Sequence, residues 1–134
     1  MRYIIAYVST AVVFLGLDFL WLGYMGDRLY RPTLGDVLRP GFDLPPALLF
    51  YALIVVGVVY FAVWPALESG SAATAALRGA LFGFFTYATY DLTNQATLRN
   101  WTWTLSLSDM AWGTVLTAAA ATAGFLITRA VKGA

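Results

Sequence analysis

Asp18, Asp91 and Asp109 each lie in or at the edge of a long apolar stretch. A carboxylate is costly in hydrocarbon, so each marks a candidate site. The chain has no histidine and no cysteine. Acid–base chemistry therefore falls to carboxylates, tyrosines or arginine-assisted water, and the usual zinc and haem ligands are missing. A metal site would have to be all oxygen, which suits magnesium, calcium or manganese. No D-x-x-D or D-x-D cluster occurs, so neither a metal nor a cofactor is expected. Asp18 and Asp91 are the candidate catalytic pair. Salt bridging of Asp18 to Arg28, Arg31 or Arg99 is the purely structural alternative.

The densest polar stretch follows Tyr87 and Tyr90: Asp91, Thr93, Asn94, Gln95, Thr97 and Arg99. Polar groups at membrane depth need partners in protein or in cavity water. The segment is therefore a candidate binding surface in which Asn94 and Gln95 orient a polar head. Arg28, Arg31 and Arg99 are candidates to contact a phosphate or carboxylate, and Trp21, Trp112 and Tyr87 to form an apolar wall. Asp18-Phe-Leu-Trp21 and Asp109-Met-Ala-Trp112 share the spacing D-x-x-W, each followed closely by glycine. This spacing sets acid and indole one helical turn apart on one face. Plainer readings exist for both members. Ser108 or Asp109 is placed to cap a helix, and Trp21, Trp101, Trp103 and Trp112 fit an interfacial aromatic belt.

These residues must be held by long apolar helices. Of the 134 residues, 60% are hydrophobic and only 11% charged, against about a quarter charged in soluble domains. Mean hydropathy is +0.73. A spanning helix needs ~20 mostly apolar residues, and four stretches qualify: about 3–25, 46–64, 73–92 and 108–128. The expectation is an all-α, integral-membrane bundle of four helices forming a single domain over 1–134, with a long polar loop at 26–45 folded over the site. Arg2 and the apolar run from Tyr3 open like a signal peptide. The run continues to about Met25 with no small-residue cleavage site, so a retained helix is expected. The first helix carries an aromatic stripe, Tyr3, Tyr7 and Phe14, that leads to Asp18. The third carries Gly79-x-x-x-Gly83, and the fourth a stripe of Gly113, Thr117, Ala121 and Gly124. Small residues at this spacing let helix backbones approach closely. The second helix offers only Tyr51, Tyr60 and Trp64, suited to interface anchoring.

At ~1.5 Å per residue, Asp18 lies about 22 Å along the first span from Tyr3, and Asp91 about 20 Å along the third from Arg78. In a hydrocarbon core of ~30 Å both fall in the third farthest from the chain termini. Asp109, at the start of the fourth span, falls in the same band. Lys and Arg divide evenly between the two sides, so the positive-inside bias leaves orientation open. A net charge of +1 offers no basic field, and no nucleic-acid partner is expected.

Leu17-Asp-Phe-Leu-Trp-Leu-Gly23, Tyr90-Asp-Leu-Thr-Asn-Gln-Ala-Thr-Leu98 and Asp109-Met-Ala-Trp-Gly113 together resemble a family of small predicted bacterial membrane proteins of unknown function. The resemblance spans nearly the whole chain. It implies a compact four-helix protein of the bacterial inner membrane, brings no catalytic residues with it, and tilts the expected ligand toward lipid. Three functions fit. The first is a pocket that binds, and in one form modifies, a lipid or other amphiphile. The second is a proton-coupled small-molecule transporter. The third is an accessory subunit in which the small-residue stripes serve a second copy or a membrane-enzyme partner.

Overall fold

A computed structural model describes residues 1–132; the side chain of Lys132, counted above among the basic residues, lies outside that description. Four long helices run in chain order: α1 (Arg2–Leu34), α2 (Leu44–Ser69), α3 (Ala72–Thr97) and α4 (Trp103–Lys132). Among the described residues there is no strand. The bundle is helical, as the apolar periodicity requires. α1, α2 and α4 are long and apolar enough to cross a membrane. α3, with Arg78 and its polar last turns, falls short of that hydropathy, so three of the four expected spans meet it. It still carries the chain back across, because α2 ends at one face and α4 begins at the other.

The ends of α1 and α2 run past the sequence expectation for one reason. α1 runs through Gly26 and Pro32 to Leu34, and α2 runs through Pro65 to Ser69. In each, a wider π-type turn comes just before the proline, over Gly26–Tyr30 and over Val59–Val63. Proline inside a helix clashes with the carbonyl four residues earlier and lacks a donor. Here that carbonyl belongs to Arg28 or Phe61, within the wide turn, where the ladder is already opened. The 26–45 stretch is thus mostly helix, and only residues 35–43 leave it.

The remaining ends follow ordinary capping. Gly70 closes α2 with φ 70°, a left-handed backbone that favours glycine. Ser71 Oγ accepts from the Thr74 backbone N–H at 3.2 Å and opens α3. Replacing Ser71 by alanine should lower stability by about 1 kcal/mol, read as a small drop in the detergent unfolding midpoint. Thr102 Oγ1 accepts from the Leu105 N–H at 3.1 Å and starts α4 well before Ser108. Asp109 is therefore inside the helix, and the capping alternative fails for both Ser108 and Asp109.

α3 and α4 form the closest seam. A Cβ built on Gly83 would lie 2.3 Å from the Gly113 carbonyl, and one on Gly79 2.8 Å from the Thr117 carbonyl. The two glycines set this approach, and dispersion across it replaces the hydrophobic drive that lipid does not supply. Near the termini the core is Val58, Ala62, Val63, Ala75, Ala121 and Phe125. The other end of α2 is different: from Leu44 to Leu53 it buries no residue. That half packs on α1 and stands off α3, which leaves space between them.

Candidate functional site

The space between α1, α2 and α3 is a cavity of about 850 Å³, within the range of small-molecule sites. Phe19, Leu22, Phe50 and Ile54 give it apolar walls, and residues 37–43 close one side. Asp18, Tyr30, Tyr87, Tyr90 and Asp109 supply polar groups from the helices, and Asp27, Arg31, Arg39 and Asp43 add charged ones.

Asp18 and Asp109 are held by neutral donors. Tyr51 donates to Asp18 Oδ2 at 2.5 Å, and the Trp112 indole N–H donates to Asp18 Oδ1 at 3.1 Å. Tyr30 donates to Asp109 Oδ1 at 2.5 Å and itself accepts from the Trp21 indole at 2.8 Å. The two indoles stack with centroids 4.6 Å apart and planes 5° from parallel. The D-x-x-W motifs of the antiparallel α1 and α4 are thus crossed. Trp112 reaches the acid of α1 directly, and Trp21 reaches the acid of α4 through Tyr30. The spacing that sets acid and indole one turn apart also lets two such turns interlock.

Asp91 is fully buried on α3, behind the cavity wall. Among the described residues no donor reaches either of its oxygens. Ser106 Oγ lies 3.3 Å from the Asp91 backbone carbonyl, which sets Asp91 against the turn of α4 that carries Asp109. Below Asp91 the end of α3 is knotted to α4. Ser106 donates to Gln95 Oε1 at 2.9 Å, Gln95 donates to the Trp101 carbonyl at 3.2 Å, and the Trp101 indole donates to Ser106 Oγ at 3.0 Å.

The expected site residues therefore separate. Asp18, Asp109 and Tyr87 face the cavity, as does Arg31, while Asp91 meets Asp109 from behind. Trp21 and Trp112 pack on each other between the acids and do not line the cavity, so they are not its wall. Gln95 serves the α3–α4 knot, and Asn94 lies outside the cavity lining. The arginines do not form a phosphate cradle. Arg28 lies 3.9 Å over the Tyr24 ring and Arg99 is exposed, and neither lines the cavity. Arg31 pairs with Asp27 at 3.2 Å, and Arg39 with Asp43 at 3.7 Å. Neither is an ion pair with Asp18, so the salt-bridge alternative for that acid fails. Among the described residues no group of three or more carboxylates could hold a metal ion.

Four contributors were not anticipated: Tyr30, Tyr51, Trp101 and Ser106. Tyr51 was read as an interface anchor, yet its hydroxyl points inward to Asp18. The one sequence signal for it is register, since Tyr51, Ile54, Val55 and Val58 fall at three- and four-residue steps on the face of α2 that meets the bundle.

No curated protein and no solved structure matches this chain significantly. The family described as "Predicted membrane protein (DUF2177)" matches residues 3–126. That stretch holds the cavity, both D-x-x-W turns and the Asp91 segment, and over it the chain belongs to this family of predicted membrane proteins.

Proposed function

We propose that the protein binds a membrane amphiphile with its head on the floor made by Asp18 and Asp109 and its chain between α1 and the outward half of α2. The observation that carries this reading is an apolar cavity of about 850 Å³ with two buried acids at its base. An apolar volume with a few convergent polar groups is the ordinary form of a small-ligand site. The charge balance selects the head group. The cavity's own cations, Arg31 and Arg39, are each matched by an acid at the rim. The floor carboxyls have no such match among the described residues. A cationic or donor-rich head is favoured there, and a phosphate or carboxylate is repelled.

The test is binding of dodecylamine and of dodecanoate to protein in nanodiscs, with native mass spectrometry of whatever amphiphile the purified protein retains. The amine should bind at least tenfold tighter than the acid, a difference of about 1.4 kcal/mol. Ile54→Trp, which fills the apolar part, should weaken both ligands and release the retained molecule. Equal binding of the two probes would remove the head-group assignment. Undiminished binding in Ile54→Trp would remove the cavity.

A further inference from the structure

Asp91 is the one acid of the cluster with nothing to hold it. It is wholly buried, and both oxygens lack a donor. Asp18, by contrast, has a donor on each oxygen. The side chain packed toward Asp91 from α4 is a second acceptor, the carboxyl of Asp109: Ser106, one turn earlier on α4, contacts the Asp91 backbone carbonyl at 3.3 Å. Two carboxylates side by side with water excluded repel one another, whereas one proton between them converts the clash into an O–H···O bond.

The surroundings offer no other remedy. On α4 the acid faces Asp109, on α1 Tyr30, and on its own helix Tyr87 and Tyr90. Among the described residues no lysine or arginine pairs with either acid. The tyrosines do not fill the gap, since Tyr30 spends its proton on Asp109.

We infer that Asp91 and Asp109 hold a single proton between them and that this proton exchanges with the cavity through Asp109. The proton belongs to the pair, not to either residue. Asp109 is the exit because it alone of the two lines the cavity. The proton site does not depend on which ligand the cavity takes. Where the cationic-head reading also holds, a cation docking against Asp109 displaces the shared proton.

The test is infrared spectroscopy of the intact protein in nanodiscs at neutral pH, with and without aspartate carrying a carbon-13 side-chain carboxyl. The expected result is a protonated-carboxyl C=O band that shifts with the label, shifts in deuterium oxide, and disappears in both Asp91→Asn and Asp109→Asn. Asp91→Asn should stay folded, because its amide donates to Asp109 where the acid O–H did. Should the variants not fold, the labelled wild type still decides by the presence of the band. A folded protein with every aspartate ionised would overturn the inference, as would a band lost in Asp18→Asn and kept in Asp91→Asn. A second measurement separates this from the binding proposal: proton release on adding dodecylamine, read from calorimetry in buffers of different ionisation enthalpy. The infrared band with no amine binding would leave the proton site standing and remove only the cationic-head reading.

Discussion

Gly83→Val should be the most destabilising single change in the bundle. The added Cβ would lie 2.3 Å from the Gly113 carbonyl and 2.6 Å from Thr117 Oγ1. The first obstacle is backbone, which cannot rotate away, so α3 and α4 must separate along their closest seam. Overpacking a well-filled contact costs ~1–3 kcal/mol and occasionally more, and a rigid obstacle belongs at or above the top of that range. Gly113→Ala is a different experiment. Its Cβ meets the Tyr87 ring at 2.1 Å, and a ring can swing, but only into the cavity that it lines. That variant should keep more of its stability and lose ligand binding. Gly16, with nothing within 4 Å of its added Cβ, is the control. Gly16→Ala should be neutral or stabilising by up to ~1 kcal/mol on helix propensity. Denaturation in mixed micelles, followed by circular dichroism, ranks the three. If Gly83→Val unfolds at the wild-type midpoint, the α3–α4 seam is not as close as described.

How much of this was legible beforehand depends on which physical signal each residue carries. Rise per residue placed Asp18, Asp91 and Asp109 in one depth band, and the structure sets Asp91 against the turn of α4 that carries Asp109. The glycine spacing announced the seam because close approach leaves a sequence trace. The D-x-x-W repeat was visible, but its crossing was not, since periodicity describes one helix and the crossing needs two. Tyr30 was hidden by punctuation. Gly26 and Pro32 read as the end of a helix, yet the wide turn over Gly26–Tyr30 absorbs the proline and carries the helix on, bringing Tyr30 to Asp109. Ser106 was missed because Ser108-Asp109 looks like a cap, while the cap that forms is Thr102. Of the three candidate arginines, Arg31 alone lines the cavity, and there it pairs with Asp27, four residues earlier on its own helix; a reading by depth did not bring out this i, i+4 pair.

Asp18→Asn and Asp18→Leu should part company, and the difference separates what the acid does for the fold from what it does for a ligand. Asp18 is only 7% exposed and accepts from Tyr51 and Trp112. Leucine would leave a buried hydroxyl and a buried indole N–H without an acceptor, at ~1–3 kcal/mol each. It would also loosen the stacked indole pair that joins α1 to α4. Tyr51 and Trp112 donate to different oxygens of Asp18; asparagine keeps its carbonyl oxygen for the indole, which can only donate, and turns its amide N–H toward the Tyr51 hydroxyl oxygen, which can accept. Its fold should therefore survive with a loss of about 1 kcal/mol. The charge does not survive in either variant. If the floor selects a cation, Asp18→Asn should bind dodecylamine at least tenfold more weakly, about 1.4 kcal/mol, and should narrow the preference over dodecanoate. Tyr51→Phe offers the converse. It removes a donor and keeps the charge, so stability should fall by ~1 kcal/mol while the preference for the amine persists. Should Asp18→Asn bind the amine as tightly as the wild type, the carboxylate would be a bracket for Tyr51 and Trp112 alone. The apolar walls would then account for all the affinity the cavity has.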